Sequence, residues 1–179
     1  MMFRQVSENV PMTEPDAVDR IVEQWRRERP ELELESMAVF GRMHRVSEKL
    51  RAMLARAHGE HGLGRGEFDV LASIRRSGPP YTLSPKEIST TLMLSSGGLT
   101  GRLDKLENAG YVERLPDPGD RRGLKVRMTE EGGRAIDAAV VAGLEVQESM
   151  LEALDADERR RLDALLRKLH AAFADQPFA

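Results

Sequence analysis

The run Pro116-Asp117-Pro118-Gly119-Asp120-Arg121-Arg122-Gly123 places two arginines on a charged segment punctuated by proline and glycine. Such a segment is a turn, and paired guanidinium groups at its tip suit contact with an anionic polymer. The plain alternative is a solvated charged turn. A second polar set comprises Ser95, Ser96, Gly97, Gly98, Thr100 and Lys105, interleaved with Leu99, Leu103 and Leu106 at i, i+4 and i+7. At about 100° per residue, Gly97, Gly101 and Asn108 fall opposite the leucines, with Thr100 and Lys105 on the shoulders. Outward glycines weaken a helix by roughly 1 kcal/mol each relative to alanine, and nothing on the apolar face requires them. They are expected to let backbone approach such a polymer closely while Ser95, Ser96, Thr100 and Lys105 make the polar contacts; a frayed helix start is the alternative. Asp104 also points outward. It would repel phosphate unless it accepts from a cytosine amino group or pairs with Lys105.

Arg102 lies at the margin of the leucine stripe, turned partly inward. A part-buried guanidinium needs a carboxylate or another anion, and Asp69 is a candidate partner. Arg114 can converge from another side, and Trp25 offers an aromatic face to a planar ligand or an arginine. Each has a plainer role too: Trp25 as a helix anchor, Asp69 as a favourable charge at a helix N-terminus, the arginines as phosphate contacts. His58 and His61 flank Glu60, with His44 upstream, but the neighbouring Gly59 and Gly62 mark a helix end where surface histidines are ordinary. A metal-responsive role built on them is the minor reading; no metal site and no cofactor are expected. Neither a phosphate-cradling loop nor a nucleophile paired with a base is recognisable, so an enzyme is not expected.

The elements around these residues follow from local signals. A helix is expected from Thr13 to Pro30, with Asp16 and Asp19 at its start and a stripe of Val18, Ile21, Val22 and Trp25. A longer helix carries Leu34, Met37, Phe40, Val46, Leu50, Met53 and Leu54, ended by Gly59, Gly62 and Gly64. Arg65 to Arg76 is a short helix with Phe68, Leu71 and Ile74 inward. Ser84-Pro85-Lys86-Glu87 is a capping box opening another, with Ile88 and Leu92 inward. After the turn Met93-Leu94-Ser95 a further helix runs to Asn108 and Gly110 closes it. Two short helices joined so tightly form a helix-turn-helix. Tyr111 to Leu115 and Leu124 to Met128 then alternate as strands, making the charged segment between them a wing. Thr129 opens a long helix with Ile136, Val140, Leu144 and Leu151, and Asp155 with Glu158 opens the last, with Leu162, Leu165, Leu166, Leu169 and Phe173. A single winged core is too small to cover these stripes, so the terminal helices are expected to pair across a two-fold axis.

Composition agrees with a helix-rich globular protein: 179 residues, 40% hydrophobic and 32% charged. There is no cysteine, which excludes disulfides and thiolate metal ligands within the sequence. Neither a signal peptide nor a membrane span is recognisable, so the expectation is a cytoplasmic protein. The formal net charge of −3 does not mark a nucleic-acid binder, but DNA senses local charge rather than the total.

From Glu67 to Gly133 the sequence resembles the MarR-type transcriptional regulators. The resemblance rests on Phe68-Asp69-Val70-Leu71, the helix-turn-helix, Leu106-Glu107-Asn108-Ala109-Gly110-Tyr111-Val112-Glu113-Arg114 and Asp120-Arg121-Arg122-Gly123, in that order. It implies a homodimer on double-stranded DNA, recognition helices in successive major grooves of a palindromic operator and wings in the adjacent minor grooves. Arg121 or Arg122 suits a narrow minor groove, with Asp120 orienting one of them. Trp25, Asp69, Arg102 and Arg114 look like the ligand set of that family's urate-responsive branch, whose close relatives respond to tricarboxylates such as citrate or trans-aconitate. The resemblance thus implies a repressor released by a small anionic effector; a metal-responsive or ligand-independent DNA-binding protein is the alternative. One departure is Gly101, where a larger polar residue often precedes this arginine. The expected fold is mainly α with a small β wing: a flexible N-terminus (1–12), N-terminal helices (13–63), a winged helix-turn-helix domain (64–128) and C-terminal dimerisation helices (129–179).

Overall fold

The computed structural model describes residues 14–92 and 96–173, apart from the side chains of Ser96, Gly97, Arg121 and Arg122. Expectations about residues 1–12, a helix start at Thr13 and the turn Met93-Leu94-Ser95 lie outside the described residues. Two compact units divide the chain, residues 1–49 and 50–179, and each has its own apolar cluster.

In the first unit, α1 (Ala17–Glu28) is capped by Asp16. The Asp16 carboxylate accepts from the amides of Val18 at 2.7 Å and Asp19 at 2.9 Å, while Asp19 accepts from the Asp16 amide at 3.0 Å. This reciprocal box satisfies orphan donors of the first turn. Val18 and Val22 are buried with Leu34, against Met37 and Ala38 of α2 (Glu35–Gly59). The helices approach closely at Gly41, where a Cβ would lie 3.0 Å from a Val18 methyl. Arg42 of α2 then bridges Asp16 at 2.9 Å and Asp19 at 2.5 Å. The expected four-residue stripe is split: Ile21 and Trp25 remain 39% and 44% exposed.

In the second unit, α2 ends in a left-handed glycine, Gly62, with Leu63 N–H returning to the His58 carbonyl at 3.1 Å. This closure satisfies the last carbonyls and turns the chain into α3 (Arg65–Arg76). Then follow β1 (Thr82–Leu83), α4 (Pro85–Leu92), α5 (Ser96–Asn108), β2 (Val112–Asp117), β3 (Asp120–Met128), α6 (Glu130–Leu151) and α7 (Ala156–Phe173). The sheet is antiparallel with order β1-β3-β2. Its core joins Leu63, Val70, Leu71 and Ile74 to Ile88, Leu103, Leu106, Val112, Val126 and Ile136, all almost wholly buried. Arg75 ties α3 to α6 with two bonds to Asp137, at 2.8 and 3.1 Å, and donates to the Tyr81 hydroxyl at 2.9 Å. The fold is mainly helical with a small three-stranded sheet, as the sequence pattern implied.

Three expectations need correction. β1 was not anticipated, because two residues carry no period and become a strand only by pairing with β3. The hairpin strands run further than Leu115 and Leu124, leaving a two-residue turn at Pro118-Gly119, with a register shift at Pro116/Asp117. Pro116 is tolerated because β2 is an edge strand. His58 is not a surface histidine: it is 6% exposed and stacked on Phe68, ring centroids 3.8 Å apart and planes within 5°. Burial pushes its pKa below the ordinary histidine value. Among the described residues, no group of three or more metal-ligating side chains comes together.

Candidate nucleic-acid interface

α4 starts as its sequence requires. Glu87 accepts from the Ser84 amide and hydroxyl at 2.7 and 2.6 Å, and the Glu87 amide donates to Ser84 Oγ at 3.3 Å. Those bonds draw the Glu87 carboxyl below its usual pKa. Lys125 of β3 reaches Glu87 at 3.5 Å and Asp117 at 3.6 Å, so one cation joins the wing to the head of α4.

On α5 the leucines behave as expected, with Leu99, Leu103 and Leu106 buried at 2%, 3% and 1% exposure. Gly98, Thr100, Gly101 and Lys105 are exposed. Lys105 Nζ lies 3.3 Å from Glu67 Oε1 of α3. Ser95 and the side chains of Ser96, Gly97, Arg121 and Arg122 lie outside the described residues, so their expected contacts are not addressed by the fold. Asp120 opens β3 opposite Asp117, whose Oδ1 accepts from Gly119 N–H at 2.9 Å. Gly123 fits this tip because a Cβ there would stand 3.0 Å from the Cβ atoms of both Asp117 and Asp120.

The inward arginines are arranged differently from expectation. Arg114 of β2 donates to Glu107 at 2.5 Å and to Asp104 at 2.6 Å, both on α5, and its amide donates to Glu107 at 3.2 Å. The Asp104 bond, with Glu107 beside it, raises the Arg114 pKa above its ordinary value. The pairing of Asp104 with Lys105 is replaced: Asp104 takes Arg114, and Lys105 takes Glu67. Arg102 makes no ion pair with Asp69. It lies partly buried over Gly66 of α3, where a Cβ would come within 2.7 Å of Arg102 Nε. The absent side chain at 66 provides that space. Asp69 instead acts electrostatically on His58. Trp25 stands on α1 in the first unit, and its carbonyl accepts from Arg29 N–H at 2.7 Å.

Between α4, α5 and the wing is a cleft of about 650 Å³, walled by Pro85, Lys86, Ser89, Thr100, Asp104 and Arg114 among others. Lys86 and Ser89 were not singled out from the sequence, although their i, i+3 spacing on one face of α4 was the available signal. Glu107 was missed as well. Its i+3 spacing from Asp104 on α5 could have marked a two-carboxylate clamp.

Two short helices, the second exposing a glycine-rich polar face beside a two-stranded hairpin, define a winged helix-turn-helix protein. A model of the MarR family matches residues 61–123. The chain is 41% identical to the transcriptional regulator PecS of Dickeya dadantii over 83% of its own length and 90% of that protein's. It is 35% identical to the multiple antibiotic resistance protein MarR of Escherichia coli, over 73% and 90% of the two chains. A solved mutant of that MarR, complexed with operator DNA, superposes with a TM-score of 0.62 at 29% identity, covering 81% and 96% of the two chains. This chain belongs to the MarR family of winged-helix, DNA-binding transcriptional regulators.

Proposed function

We propose that the chain is a dimeric repressor that holds a palindromic operator through α5 and the wing and releases it when a small anion binds. The observation that carries the DNA reading is α5 itself: it buries three leucines and turns Gly98, Thr100, Gly101 and Lys105 outward beside the hairpin. A major groove admits such a helix, and Arg121 and Arg122 are assigned to the flanking minor groove. That a relative from E. coli has been solved in complex with operator DNA supports the DNA reading. Dimerisation is supported by apolar side chains on α6 and α7, where Val141, Leu144, Leu165 and Phe173 are each more than half exposed.

The effector is assigned to the arginines of the second unit. Arg114 walls the cleft while bonded to two α5 carboxylates. An anion there competes for the guanidinium and leaves Asp104 and Glu107 uncompensated on the helix that faces DNA. Asp69, expected as a partner for Arg102, holds neither arginine. Arg102, with no carboxylate partner among the described residues, supplies further positive charge. The anion acts only through its differential affinity for the DNA-competent and released conformations. Urate, citrate and trans-aconitate are the candidates.

A gel-shift titration on a DNA fragment carrying the upstream region of the chain's own gene tests this directly. Salt-dependent, competitor-resistant binding is expected, together with release by one of the three anions. Arg102→Ala and Arg114→Gln variants that still bind DNA should no longer respond. Binding that no anion disturbs would leave a ligand-independent regulator, and no specific binding would remove the operator reading.

A further inference from the structure

The residues that close α5 are fastened to the start of α6 by the Thr129 hydroxyl and by main-chain contacts. α5 closes with Gly110 in the left-handed region, φ +75°, and with Tyr111 N–H returning to the Leu106 carbonyl at 2.9 Å. The next groups after the helix are then taken by the cap of α6. Thr129 donates its hydroxyl to the Gly110 carbonyl at 2.7 Å and its amide to the Tyr111 carbonyl at 3.0 Å. The same hydroxyl accepts from Gly132 N–H at 3.0 Å, so one oxygen caps α6 and grips the end of α5. Gly132 is pressed against this junction: a Cβ there would stand 2.1 Å from the Tyr111 carbonyl oxygen and 2.9 Å from its carbon. Those are backbone atoms, which cannot swing aside as a flexible side chain would. From the other side the Tyr111 hydroxyl donates to the His61 carbonyl at 3.3 Å, and a Cβ on Gly62 would meet it at 2.8 Å.

We propose that Thr129 and Gly132 are positioning residues that set where the recognition helix stands relative to α6, and thereby the half-site separation the regulator accepts. This rests on the dimeric operator reading above. α6 carries the exposed apolar face assigned to the dimer, and its first turn seats α5, so the two protomers' recognition helices are spaced through this joint. DNA half-sites must match that spacing along the duplex. A residue with any Cβ at 132 displaces α6 from the α5–β2 corner and changes the spacing without touching DNA.

Fluorescence anisotropy on inverted-repeat operators, with half-sites moved in single base-pair steps, reads the effect. The wild-type chain is expected to show one optimum. Gly132→Ala should bind that optimum at least tenfold more weakly and prefer a spacing displaced by one or more base pairs. Thr129→Val should shift the preference the same way, and Thr129→Ser should restore it. Thermal unfolding and sedimentation establish that each variant is folded and dimeric; if Gly132→Ala is not, the two Thr129 variants decide. Folded variants that keep the wild-type optimum overturn the proposal, even if their affinities fall in parallel at every spacing. A wild-type chain indifferent to half-site spacing fails the operator reading itself, and this inference falls with it.

Discussion

A Cβ placed on Gly101 would meet nothing within 4 Å outside its own helical turn among the described residues. On the isolated protein, Gly101→Ala is therefore expected to stabilise α5 by about 1 kcal/mol, raising Tm by roughly 2–4 °C. If backbone approaches DNA at this face, the same methyl group weakens operator binding about tenfold. Calorimetry and operator titration on the same variant separate the two effects, and a higher Tm with unchanged Kd would refute the close approach. Arg102 shows the opposite use of a glycine. Gly66 is small because Arg102 lies across it, so Gly66→Ala must move the guanidinium while leaving DNA-facing residues unaltered.

Among the elements, α1 is held to α2 by a small apolar cluster and by Arg42 between two carboxylates. The Asp19 amide, followed by Arg42 and the Val18 amide, holds the Asp16 carboxyl at about 2, against an ordinary 3.8. Because the folded value lies below the unfolded one, the contribution is complete above about pH 4 and is lost as pH falls through about 2. Trp25, the one tryptophan in the sequence, sits on α1 and reports the event. Its fluorescence is expected to change between pH 4 and 2, and the change should flatten in Asp16→Asn. Asparagine keeps the helix cap but not the ion pair. An identical acid transition in that variant would detach the signal from Asp16.

For the whole molecule, the deciding feature is apolar surface that the single chain leaves uncovered. α7 contributes no buried residue, and Leu165 and Leu169 are 61% and 38% exposed. If this face pairs with a second copy, Leu165→Glu with Leu169→Glu removes four buried leucines per dimer, on the order of 6 kcal/mol or more. Sedimentation at micromolar concentration should then find monomers, and operator affinity should fall by at least a hundredfold as two linked half-site contacts become one. A variant that stays dimeric and binds normally would move the interface elsewhere.

Features determined by a few adjacent residues were legible in the sequence. The caps at Ser84/Glu87 and Asp155/Glu158 close within three residues, so residue type and spacing announce them. The leucines of α5, the stop at Gly110 and the alternation of the wing are equally local, and their order carried the resemblance to the family. Tertiary structure decided the partner of each charge. Asp104 finds Arg114 and Lys105 finds Glu67, because packing of α5 against β2 and α3 puts those groups within 4 Å, a distance no spacing along the chain encodes. The same holds for His58 on Phe68, for β1 beside β3 and for Gly132 against the Tyr111 carbonyl. Periodicity identifies which face of an element turns inward; only the fold brings particular atoms of two elements into contact.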